Sequence, residues 1–79
     1  MALLQKKLFS EIAKERNQIH EYTEASYTVF SKDGQTIFQL DTFGTSHRKV
    51  PGKISQSLQI DKEMAEVLVQ KLRFAFNID

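Results

Sequence analysis

Apolar residues recur at helical spacing near the start of the chain: Leu4, Leu8, Ile12 and Ile19, with Phe9 and Ala13 widening the stripe and Lys7, Glu11, Lys14 and Gln18 falling mostly elsewhere. This pattern predicts an amphipathic helix over residues 2–20. Its polar face mixes both signs of charge, so its expected role is to cover a core and not to lie on a membrane.

After His20-Glu21 the period shortens to two. Tyr27 and Val29, then Phe38 and Leu40, alternate with polar neighbours on either side of Lys32-Asp33-Gly34-Gln35. Asp-Gly suits the two central positions of a type I′ turn, both of which need positive φ. With the turn centred there, Lys32 pairs with Gln35, Phe30 with Ile37, Val29 with Phe38, Thr28 with Gln39 and Tyr27 with Leu40. Residues two apart share a face, so Tyr27, Val29, Phe38 and Leu40 form the expected core side of the hairpin. The opposite side carries Ser26, Thr28, Gln39 and Asp41, with Phe30, Ile37 and Phe43 as apolar islands. A third strand is expected over residues 54–60, where Ile54, Leu58 and Ile60 alternate with Ser55, Ser57 and Gln59.

Asp61 is placed to cap a last helix, and Glu63 adds charge favourable to its N-terminus. Met64, Ala65, Leu68, Val69, Leu72, Ala75 and Phe76 make a broad apolar stripe, while Val67 and Phe74 fall on roughly the opposite side. One helix covering one sheet face does not need both surfaces. The surplus at Val67 and Phe74 fits either the N-terminal helix or a subunit interface. The expected fold is a single α+β domain over residues 1–79: N-terminal helix, three-stranded antiparallel sheet covered on one face, C-terminal helix.

Length and composition narrow the classes. Seventy-nine residues lie near the small end of what buries its own core, and there is no cysteine for a disulfide or a thiolate site. A homodimer is therefore expected, and no metal or other cofactor is. Hydrophobic residues make up 41% and charged residues 27%, a folded-domain profile. No apolar run approaches the ~18 residues of a membrane span, and the first residues do not resemble a signal peptide, so a cytoplasmic location is expected. The two histidines, His20 and His47, sit in different elements, and no nucleophile-elbow, zinc-protease, Walker or dinucleotide pattern occurs, which argues against an enzyme.

The exception to this ordinary scaffold is the stretch from Phe43 to Lys53. It exceeds a usual hairpin connection and holds His47, Arg48, Lys49 and Lys53 among Gly44, Thr45, Ser46 and Gly52. Arg48 offers a planar fork of donors to a phosphate, Lys49 and Lys53 add point charges, and small residues let backbone donors approach an anion. Phe43 offers a ring on which a base stacks. With Ser55 and Ser57 on the polar side of the third strand, these residues form the expected site for single-stranded nucleic acid. The net charge is only +1, so attraction must come from this local cluster. The same composition also describes an ordinary solvated loop.

Two resemblances bear on this stretch. Asp41-Thr42-Phe43-Gly44-Thr45-Ser46, Arg48, Pro51-Gly52-Lys53 and Ser55-Gln56-Ser57-Leu58-Gln59 resemble the signature of a group of small uncharacterised bacterial proteins sometimes labelled methionyl-tRNA formyltransferase-like. That resemblance marks a family and implies no activity for a chain this short. The aromatic strand end, charged loop, Pro-Gly-Lys and acid-capped helix are similar to the positive-cofactor-four family of single-stranded DNA-binding coactivators. That similarity implies a dimer binding strands across curved sheets, with Phe43, Arg48, Lys49 and Lys53 in the binding role. The alternative from another class is a protein-interaction module, an accessory or inhibitory subunit, using the loop or the Val67/Phe74 surface.

Overall fold

The computed structural model describes residues 1–44 and 53–79. Among these residues are four strands, β1 (Ala2–Leu4), β2 (Ala25–Lys32), β3 (Gln35–Thr42) and β4 (Gln56–Ile60), then one α-helix, α1 (Lys62–Phe76). The strands form one mixed sheet in the order β1-β4-β3-β2.

The hairpin follows from its turn. Asp33 and Gly34 both have positive φ, 54° and 76°, as a type I′ turn demands. From that turn the register runs outward as the alternation predicts: Lys32 opposite Gln35, Val29 opposite Phe38, Tyr27 opposite Leu40. The strand expected after the long connection is β4, and it pairs antiparallel with β3, setting Ile60 against Phe38 and Leu58 against Leu40. α1 also starts where its cap places it. The Asp61 carboxylate accepts from the Met64 N–H at 2.9 Å. At the other end Asn77 takes the left-handed conformation, φ 55°, and the Ile78 N–H returns to the Arg73 carbonyl at 2.9 Å, so the terminal carbonyl has a partner.

The N-terminal helix expected over residues 2–20 does not form. Ala2–Leu4 instead lies parallel to β4 as an edge strand, and Lys6–Leu8 makes a single 3-10 turn. Residues 9–24 hold no regular element. The physical reason is that a helix this short draws its stability from packing an apolar face, and Ile12 and Ile19 have nothing to pack on: Ile19 is 100% exposed. The edge of β4, by contrast, offers unpaired backbone groups that Ala2–Leu4 satisfies. The sheet is accordingly four-stranded and mixed, not three-stranded and antiparallel.

The expected covering of the apolar sheet face is also corrected. Tyr27, Val29, Leu40 and Leu58, which share that face by register, are all exposed, Tyr27 to 67%. The buried side chains of the sheet, Ile37, Asp41 and Ser57, lie on the opposite, mostly polar face. Among the described residues the fully buried large side chain is Met64 in the first turn of α1, at 0% exposure.

These assignments set two stability expectations, read by urea unfolding at fixed protein concentration. Asp61→Ala removes the acceptor for the Met64 N–H and costs about 1 kcal/mol. Met64→Ala empties the one fully closed site and costs about 2–5 kcal/mol. Equal, small effects at the two positions would show that Met64 does not anchor the helix.

Candidate functional site

The long connection leaves β3 at Phe43 and returns before β4, so its two ends hang from adjacent, hydrogen-bonded strands. Both ends are pinned. The Phe43 N–H donates to the Glu24 carbonyl at 3.1 Å, and the Thr23 hydroxyl donates to the Gly44 carbonyl. Gly44 has φ 81°, a conformation that glycine reaches without steric cost, and there the chain turns out of the sheet. On the return, the Ser55 N–H donates to the Thr42 carbonyl at 2.6 Å.

Of the side chains expected to bind nucleic acid, Phe43 is half-buried and Lys53 and Ser55 are exposed beside this mouth. Ser57 is mostly buried, facing Asp41 across the β3–β4 pair. His47, Arg48 and Lys49 lie outside the described residues.

Sequence reasoning left the polar sheet face as an open surface, and it is a closed network. Gln39 sits opposite Gln59 on β4, and the Gln59 amide donates to the Gln39 side-chain carbonyl at 2.7 Å. The Gln39 amide in turn donates to both carboxylate oxygens of Asp41, at 3.0 and 3.1 Å. Asp41 is only 6% exposed, so its carboxylate depends on such donors in place of water. The period-two pattern carried the signal for this row, because it puts Gln39, Asp41, Ser57 and Gln59 on one face. An open pocket of about 340 Å³ lies beside it, lined by Met1, Leu3, Ile54, Gln39, Ser57 and Gln59.

Val67 and Phe74, expected to form an interface, do share one surface. They line a groove of about 720 Å³ along α1 whose far wall is Phe9, with Glu11 and Lys71 at its rim. Val67 is half-buried and Phe74 is 89% exposed. The second candidate that sequence reasoning missed is the uncovered apolar face of the sheet, where the Tyr27 and Phe38 rings stack at 5.2 Å and 10°.

Among the described residues no group of three or more His, Asp or Glu side chains gathers to hold a metal ion, and no helix is long and apolar enough to cross a membrane. Compared with protein-family models, curated proteins and solved structures, the chain matches none.

The polar row sets the expectation for this site. Asp41→Ala takes the charged acceptor from the half-buried Gln39 amide and lowers stability by about 1–3 kcal/mol. Ser55→Ala, at an exposed side chain whose backbone makes the contact, stays within about 0.5 kcal/mol. Urea unfolding of both variants checks this, and an Asp41→Ala protein as stable as its parent would remove the network from the account of the fold.

Proposed function

We propose that the protein is a non-enzymatic nucleic-acid-binding protein that takes single strands at the connection between β3 and β4. The observation that supports this most is the way that connection is mounted. It holds Arg48, Lys49 and Lys53 in sequence, and its ends are tied by backbone hydrogen bonds to neighbouring strands, with Phe43 at the exit and exposed Lys53 at the return. Cations on a framed connection next to an aromatic side chain suit a flexible, negatively charged backbone bearing flat bases. The polar sheet face is not part of this reading, since Asp41 and Ser57 are mostly buried and the Gln39 amide is committed to Asp41.

Under this reading Arg48, Lys49 and Lys53 contact phosphates and Phe43 stacks a base. Phosphate contacts and base stacking carry no base-edge readout, so the binding is expected to tolerate any sequence. The resemblance to the positive-cofactor-four family points the same way.

A second reading is favoured by the groove along α1. Its lining joins apolar Phe9, Val67 and Phe74 with charged Glu11 and Lys71, which fits a peptide or helix of another protein. Binding of that kind survives salt and is lost on Phe74→Ala.

Fluorescence anisotropy with labelled single- and double-stranded oligonucleotides, titrated over a range of salt, tests the first reading. Saturable binding that prefers single strands is expected, with the slope of log K against log salt shrinking by about 0.7 for each phosphate contact removed. Arg48→Ala, Lys49→Ala and Lys53→Ala should each reduce the slope, and Phe43→Ala should weaken binding by about 1–3 kcal/mol without changing it. Absence of binding at low salt, or loss of affinity with an unchanged slope in all three basic variants, overturns it.

A further inference from the structure

The chain exposes far more surface than a domain of its size keeps. Its accessible area is 7583 Å² for a mass of 9.1 kDa, where a closed monomer of that mass exposes about 4,900 Å². Its radius of gyration is 14.8 Å, against about 12 Å for a compact chain of this length.

The excess is not spread evenly. On one side of the sheet, cross-strand neighbours place Tyr27, Val29, Phe38, Leu40, Leu58 and Ile60 in a continuous patch. The first two, Leu40 and Leu58 are exposed, and no Asp, Glu, Lys or Arg of the paired strands shares the face. Apolar patches on free monomers rarely exceed a few hundred Å².

We propose that this face is the interface of a homodimer, the sheet of a second copy packing directly on it. Area argues for that occupant. The whole surplus of two chains over closed monomers, which this face shares with residues 9–24 and the end of α1, is roughly 5,400 Å², enough to hold an obligate homodimer interface of about 2,000 Å² or more. Charge argues for it too. In a two-fold interface residue i meets residue j of the partner and j meets i, so a lone charge on the face would be buried unpaired, and this face has none. The absence of cations makes the same face a poor seat for nucleic acid. Residues 9–24 add to the surplus: Ile12, Ile19 and Tyr22 are exposed on a segment without regular structure. The inference does not rest on the nucleic-acid reading and stands or falls without it.

The test uses the full chain, which has no cysteine of its own. Sedimentation equilibrium over a dilution series gives the mass of the wild-type protein. Val29→Cys and Leu58→Cys, on two different strands of the face, are then alkylated alongside Lys32→Cys at the hairpin tip. The expected result is twice 9.1 kDa, with both face thiols modified about tenfold or more slowly than the tip thiol, since the rate follows the fraction of open monomer. A single-chain mass throughout the series overturns the proposal and leaves the face to a different partner. Twice the single-chain mass with face and tip thiols equally reactive overturns it as well, because the copies then meet elsewhere. Two face positions guard against one variant failing to fold, and the wild-type mass does not depend on either.

Discussion

The Asp33-Gly34 turn is the constraint on which the rest of this structure depends. A type I′ turn fixes not only where the chain reverses but which residues stand opposite one another, and with a side-chain period of two a slip of one residue would exchange the faces of the sheet. Because Lys32 meets Gln35, Tyr27 and Val29 stand across from Leu40 and Phe38. β4 then joins β3 in a register that extends both faces, with Leu58 and Ile60 added to the apolar one and Ser57 and Gln59 to the polar one. Ala2 and Leu4 continue the apolar rows onto β1.

What the turn separates, the rest of the chain treats unequally. The polar face, usually the one left to water, contains the buried Ile37, Asp41 and Ser57 and is closed by the amide chain from Gln59 through Gln39 to Asp41. The apolar face is left open. α1 buries Met64 and half-buries Ala65, Val67 and Leu68, but from Val69 onward its side chains are exposed. One short helix closes about one turn's worth of core, too little to stabilise a sheet of this size against the entropy of ordering it. The inference of a second copy follows from that imbalance as much as from the patch itself.

Much of this was legible in the sequence, and the parts that were not share a cause. The hairpin, its register, the strand before Asp61 and the capped helix all rest on local rules, a turn needing positive φ, alternation with period two, a carboxylate over free N–H groups, and each formed, the strand over Gln56–Ile60 and not from Ile54. The N-terminal helix rested on periodicity alone. Periodicity describes a stripe without saying what the stripe will meet; Ile12 and Ile19 meet nothing, and the three residues Ala2–Leu4 were too few to read as a strand until β4 offered them an edge. The same gap misplaced the sheet's cover, because alternation identifies an apolar face and cannot say which chain packs on it. At the candidate site, Phe43, Lys53 and Ser55 stand around the mouth of the connection as composition suggested. Ser57 does not, since its alternation with Ser55 ignored the cross-strand neighbour, Asp41, that it faces.

The two proposals assign different work to different parts of one small sheet, and this separation is their physical justification. Anion binding needs cations that remain hydrated until the ligand arrives, together with donors that are not already committed. The polar row fails on the second count: Gln39 gives its amide to Asp41, and Gln59 gives its own to Gln39. A carboxylate at the base of the connection also opposes a phosphate brought too near it. Asp41 instead serves the frame, holding the polar row together where β3 ends and the connection begins. Self-association makes the opposite demand, a face with no charge to desolvate, and the apolar side of the sheet meets it. A chain that leaves one sheet face bare and concentrates basic side chains in a connection between its two central strands can dimerise and bind a strand without either surface being used twice.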